Sequence, residues 1–309
     1  MTDKYICVLD DTELIPELCG FNDRNLKAIE DRLGVPVFCR GNELLLESQD
    51  KDKQEIFSRV IGRMKEYAQN GVSPDPDMIS TLFTEENPTV DCSINIPGSS
   101  RRVFPRNKNQ MKLVELFNTK DLVFAVGPAG TGKTYLAVAK ALSEIMQKKY
   151  RKLIITRPVV EAGESLGFLP GDLAQKISPY LRPLYDAMES LLSFDSVSKL
   201  EEAGVIEIAP LAYMRGRSLS DCYIILDEAQ NTTKEQMKMF LTRIGERSRA
   251  IVTGDVTQID LPNKKVSGLV EAMGILKDID DIGFLEFSPG DIVRNRLVKK
   301  IIDAYEKIR

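Results

Sequence analysis

The sequence contains no histidine. That absence excludes imidazole general bases, Ser-His-Asp and Cys-His triads and every metal site with a histidine ligand, leaving carboxylates, cations, hydroxyls, amides and thiols to do any chemistry. Cysteine is scarce. Cys7, Cys19, Cys39, Cys92 and Cys222 are an odd number at unrelated spacings with no C-x-x-C, which argues against a disulfide framework or structural zinc and for free thiols in a reducing compartment. No uncharged apolar run approaches the roughly 18 residues of a membrane span. The N-terminus runs from Met1 into Asp10-Asp11 without the basic-then-apolar order of an export signal. A cytoplasmic protein without membrane association is expected.

What is present is ordinary globular usage: 309 residues, 43% hydrophobic and 28% charged. At about 150 residues per domain the length suggests two domains. The 42 Lys+Arg against 46 Asp+Glu give a net charge of −4, but unevenly. Residues 1–75 hold 10 basic and 15 acidic side chains, a net of −5, which leaves 32 against 31, or +1, for the remainder.

A breaker-rich stretch from Asn70-Gly71 through Pro74, Pro76, Pro88 and Pro97-Gly98 to Pro105 reads as a connection. The expected division is therefore a small domain at 1–75, a linker at 76–103 and a larger domain at 104–309. In the small domain, Leu26, Ile29 and Leu33 recur with helical spacing and Gly34 ends the run. Val35–Cys39 and Glu43–Leu46 read as paired strands across Arg40-Gly41-Asn42, and a second helix follows with Ile56, Val60 and Met64 on one face. In the large domain, apolar runs at Leu122–Val126, Leu153–Thr156, Val205–Ile208, Tyr223–Asp227, Ala250–Thr253 and Gly283–Phe287 alternate with helical patterns. Continuous rather than alternating apolar strands indicate an α/β fold whose parallel sheet is covered on both faces.

Gly127-Pro128-Ala129-Gly130-Thr131-Gly132-Lys133-Thr134 fits G-x-x-x-x-G-K-[ST] at every fixed position, between an apolar strand and a helix carrying Val138, Leu142 and Ile145. Glycines there let backbone N–H groups turn around a phosphate, and the helix N-terminus adds its dipole. Lys133 is the candidate cation for the β- and γ-phosphates, and the Thr134 hydroxyl is a candidate Mg²⁺ ligand. Such a site also needs a metal-holding carboxylate on a neighbouring strand. Asp227 and Glu228, at the end of Tyr223–Leu226, supply an acidic pair at the C-terminal strand edge, where open parallel sheets bind ligands. Asp227 is the candidate for the Mg²⁺ shell through water, and Glu228 for the base that orients and deprotonates the attacking water. Gln258, after Gly254-Asp255, is a candidate sensor of the γ-phosphate, although a plain strand-to-loop turn has the same appearance.

These motifs carry a family resemblance. With Thr156-Arg157-Pro158, Glu161-Ala162-Gly163-Glu164, Gly167-Phe168-Leu169-Pro170-Gly171, Met214-Arg215-Gly216-Arg217 and Leu226-Asp227-Glu228-Ala229-Gln230-Asn231, residues from about 104 to 309 resemble PhoH-like proteins. These are P-loop ATPases whose core is similar to a single RecA-like domain of superfamily 1 helicases. The resemblance implies ATP and Mg²⁺ as ligands, Asp227–Gln230 as motif II, Gly254-Asp255 with Gln258 as motif III, and an adenine contact by Gln110. Gln110 equally suits a surface helix position. The family's C-terminal Val-Arg-His-Pro stands here as Val293-Arg294-Asn295-Arg296. Arg294 is a candidate phosphate contact, or else part of a solvated helix face.

The first 70 residues resemble a KH-like RNA-binding module, but Gly20-Phe21-Asn22-Asp23 lacks the second glycine of the G-x-x-G clamp and carries an acid there. The implied function is an Mg²⁺-dependent ATPase acting with RNA or ribonucleoprotein, including RNA helicase activity. The alternative is an ATP-gated adaptor recruiting an RNA-processing enzyme. A small-molecule kinase is disfavoured. Because 104–309 supplies one RecA-like lobe, the arginine that neutralises transition-state charge must come from the same domain or from a neighbour. The expectation is a ring-like homo-oligomer, a hexamer by resemblance, with Arg157, Arg215, Arg217 and Arg294 as candidates.

Overall fold

The computed structural model describes residues 4–69, 73–83, 93–99, 102–158, 173–261 and 267–292. The chain divides into two units, Met1–Ser93 with Phe104–Lys108, and Ile94–Val103 with Asn109–Arg309.

The first unit is the expected small α+β fold. Strands β1 (Tyr5–Val8), β2 (Val37–Arg40) and β3 (Glu43–Leu46) form an antiparallel sheet in the order β1-β3-β2. Helices α1 (Ile15–Cys19), α2 (Arg24–Leu33) and α3 (Lys51–Gln69) belong with it. Gly34, at φ 67°, ends α2 by donating its N–H to Glu30. Leu26, Ile29 and Leu33 from α2, and Phe57, Val60, Ile61 and Met64 from α3, are buried in one cluster, as their spacing requires. Each such burial is worth about 1.5–3 kcal/mol.

The stretch expected as a linker is shared between the two units. Helix α4 (Pro76–Leu82) puts Met78, Ile79 and Leu82 into the core of the first unit. The short ribbon β4 (Ile94–Asn95) and β5 (Arg102–Val103) puts Ile94 and Val103, with Ile96, into the core of the second. Pro76 opens a helix rather than breaking one, because the first helical position needs no N–H partner.

The second unit is a six-stranded, wholly parallel sheet of β6 (Leu122–Val126), β7 (Lys152–Arg157), β8 (Ile206–Pro210), β9 (Cys222–Leu226), β10 (Arg249–Gly254) and β11 (Ile282–Glu286). All six expected strands are present, in the order β11-β6-β10-β9-β7-β8. Successive strand residues feed two separate cores. Val123, Ala125, Leu153, Ile155, Tyr223, Ile225 and Ile251 pack with α6 (Lys133–Met146) and α7 (Leu173–Leu191). Phe124, Val126, Ile154, Ile224, Leu226, Ala250 and Val252 pack with α9 (Lys234–Leu241) and α10 (Gly268–Leu276). Apolar residues on both faces explain why these strands read as unbroken hydrophobic runs. Helices α5 (Lys108–Thr119) and α8 (Phe194–Glu202) complete the set.

Sheet order corrects one expectation. The strand bearing Asp227 is not beside the strand that enters the phosphate loop; β10 lies between them. Pairing across a sheet is non-local, and no strand's own composition records who its neighbour is. Among the described residues, no helix is long and apolar enough to cross a membrane. Four described cysteines, Cys7, Cys19, Cys39 and Cys222, are free thiols.

Candidate active site

The loop from Gly127 to Gly132 leaves the C-terminal tip of β6 and enters α6. Gly127 has φ 146°, and a Cβ there would lie 2.6 Å from the Phe287 carbonyl oxygen, so only glycine fits between these strand tips. Gly132 takes φ 85° as N-cap of α6 and offers no side-chain cap, leaving the first turn's N–H groups to a ligand. The Lys133 ammonium donates to the carbonyls of Gly127 (2.6 Å) and Pro128 (2.7 Å) and reaches Thr131 Oγ1 at 3.3 Å. Burial pushes Lys133 below its ordinary value, while the charges of Asp255, Glu228 and Asp227 act the other way.

Opposite the loop, the acidic groups arrive from two strand tips. Asp227, 4% exposed, accepts through Oδ1 from Thr134 Oγ1 at 2.7 Å and from Thr253 Oγ1 at 2.6 Å. The intervening β10 is what delivers Thr253. Glu228 follows in a left-handed conformation (φ 53°), and its Oε2 accepts from Gln230 Nε2 at 2.5 Å. Gln230 Oε1 in turn accepts the Asp255 N–H at 3.0 Å, so one buried amide joins the segments that follow β9 and β10. Asp255 Oδ2 accepts from Gln258 Nε2 at 2.6 Å, and its Oδ1 from Thr257 Oγ1 at 2.6 Å. Burial alone would raise Asp255, but the bonds from Thr257 and Gln258 and the charge of Lys133 hold it below the usual carboxylate range. Gly130, Gly132, Lys133, Thr134, Asp227, Glu228, Asp255 and Gln258 share the lining of one cavity of about 260 Å³.

This arrangement coincides with relatedness over nearly the whole chain. The sequence pattern of the PhoH-like proteins matches residues 102–306. A PhoH-like protein of Mycobacterium tuberculosis is 48% identical over 302 residues, 96% of this chain and 86% of that protein. The chain belongs to the PhoH-like protein family. A PhoH-like protein of Bacillus subtilis is 48% identical over 300 residues (94% of this chain, 93% of that one). Protein PhoH of Escherichia coli is 45% identical over 218 residues, 69% of this chain and 62% of its own length.

Not every expected residue of this PhoH-like chain stands where the reading put it. Gln110 is neither a surface residue nor part of the cavity lining. It is 4% exposed on α5 and donates Nε2 to the Thr131 carbonyl at 2.9 Å, bracing the phosphate loop. Arg157 pairs with Glu228 at 3.2 Å. Arg217 forks onto both oxygens of Glu207 at 2.5 and 3.0 Å, away from the site. Of the candidate arginines in the described residues, Arg215 alone has an exposed side chain with no hydrogen bond or ion pair among them. Arg294, like Glu161–Glu164 and Gly167–Gly171, lies outside the described residues. Thr253 and the bridging role of Gln230 were missed. Their signal was position at the tips of β10 and β9, which is visible only once the strands are ordered.

The Arg217–Glu207 pair makes its own prediction. The Arg217 hydrogen bond, working against burial and helped by Lys152, pulls Glu207 from 4.5 down to about 2. A folded value below the ordinary one means the stabilisation is complete above pH 4.5 and disappears as pH falls towards 2. Arg217→Ala is expected to melt below the parent at neutral pH, with the gap in Tm closing through that window. A gap that stays constant on acidification overturns the assignment.

Proposed function

We propose that this PhoH-like protein is an Mg²⁺-dependent cytoplasmic ATPase whose hydrolysis is coupled to RNA or ribonucleoprotein processing. The observation that carries the reading is the convergence of Lys133, Thr134, Asp227 and Glu228 on one cavity floored by the glycine loop. Loop N–H groups and the start of α6 take the phosphates, and Lys133 exchanges its carbonyl partners for β- and γ-phosphate oxygens. Thr134 Oγ1 and, through water, Asp227 would hold Mg²⁺, their oxygens lying 2.7 Å apart, and the ion would neutralise charge on the β- and γ-phosphate oxygens. Glu228 takes the proton of the attacking water as its oxygen bonds to the γ-phosphorus. The bond to the β-phosphate oxygen breaks, giving ADP and inorganic phosphate.

RNA coupling draws on the KH-like resemblance of the first unit. Its Gly20–Asp23 turn lies between α1 and α2, with Asn22 and Asp23 both left-handed (φ 53° and 57°), so the bend is kept although the glycine is replaced. The acid at that turn and the local net charge of −5 favour the second reading, an ATP-gated adaptor whose first unit binds a protein partner. The ring with an arginine supplied in trans is retained, with Arg215 as the donor.

Phosphate release measured with and without single-stranded RNA, over a series of protein concentrations, tests these points together. Hydrolysis that rises with RNA, and a rate per subunit that rises with concentration, is the expected result. Hydrolysis indifferent to RNA favours the adaptor. No hydrolysis under any condition overturns the ATPase.

A further inference from the structure

Arg157 stands at the last position of β7, where Thr156 pairs with Leu226 of β9. Its side chain therefore extends beside the tip that carries Glu228. One end of the guanidinium donates to the Tyr180 carbonyl at 2.8 Å, which fixes the fork to α7, and the other meets Glu228 Oε1 at 3.2 Å. The second carboxylate oxygen is engaged as well, by Gln230 Nε2, whose own carbonyl is anchored on the Asp255 N–H. Both Glu228 oxygens are thus held, one by a cation and one by a buried amide. Glu228 lines the cavity at the phosphate loop, but Arg157 does not. The guanidinium therefore meets the carboxylate without itself forming part of that lining.

We propose that Arg157 is a positioning residue that clamps Glu228 in a resting pose, so that water activation requires the Arg157 bond to open. This rests on the ATPase reading above. It takes Arg157 out of the set of arginines that touch the transferred phosphoryl group and gives it a restraining role on the base of its own subunit. The pair is only partly exposed, with 20% of the Arg157 side chain and 36% of the Glu228 side chain accessible, so the restraint is modest and reversible.

The test is steady-state ATP hydrolysis by full-length Arg157→Gln, which keeps a donor for Tyr180 but loses the charge. The expected result is a rise in kcat of about five-fold, equivalent to about 1 kcal/mol, with KM and the calorimetric Kd for ATP unchanged. In a Glu228→Gln background the same substitution is expected to leave the single-turnover rate unchanged, because there is no carboxylate left to restrain. A fall of about 10³-fold would identify a direct contact with the phosphoryl group and overturn the proposal. An unchanged kcat, or an effect that persists in the Glu228→Gln background, also overturns it. Arg157→Lys, which keeps the charge without the two-ended fork, is the second variant if Arg157→Gln does not fold, and a smaller rise in kcat is expected of it. A parent protein that takes up no ATP would instead fail the ATPase reading itself.

Discussion

Lys133→Ala is expected to weaken ATP uptake by at least an order of magnitude while leaving the fold in place. The ammonium is held by two loop carbonyls and the Thr131 hydroxyl, within the field of Asp227, Glu228 and Asp255. Burial works against its charge, and the three carboxylates sustain it, so the site keeps a cation ready where a triphosphate would bring its own negative charge. Exchange of carbonyl partners for phosphate oxygens strengthens each bond, since hydrogen bonds to charged groups contribute about 1.5–3 kcal/mol. Loss of one or two such bonds weakens binding by about 10- to 10⁴-fold. Isothermal calorimetry with Mg²⁺ present reads the change directly. The same heat of uptake in parent and variant would show that the loop does not bind phosphate through this lysine. A melting temperature close to the parent's separates lost binding from lost structure.

Glu228→Gln has the opposite signature: nucleotide is retained and turnover collapses. The amide matches the carboxylate in shape but cannot accept the water proton, and general-base contributions are typically about 10²–10⁴ in rate. kcat is expected to fall by that factor with Kd for ATP little changed. Asp227 keeps its bonds from Thr134 and Thr253 in this variant. Parent-like hydrolysis by Glu228→Gln would transfer the base to another group, and the only other carboxylate on the cavity wall among the described residues besides Asp227 is Asp255.

The phosphate loop was legible because its chemistry is local: eight consecutive residues carry both the turn and the ligands. The six large strands were legible because a sheet covered on both faces demands unbroken apolar runs. What sequence could not convey was adjacency. Asp227 was expected beside the loop strand, and β10 separates them. Thr253 reads along the chain as one more β-branched residue in a buried strand, and only the order β6-β10-β9 makes its hydroxyl a partner of Asp227. Gln110 shows the same limit from the other side. The alternative of a surface helix position fails because Gln110 is 4% exposed, and its bond to the Thr131 carbonyl could not be read along the chain. Met78 and Ile79 were hidden by the prolines around them, because a proline read as a breaker is also a good helix starter.

The close approach of Phe287 to Gly127 has a mechanical corollary. The Phe287 N–H donates to the Val126 carbonyl at 2.7 Å, and its own carbonyl occupies the space a Gly127 side chain would need. The last strand of the sheet thus acts as a backstop against the root of the phosphate loop, with no slack even for a methyl group.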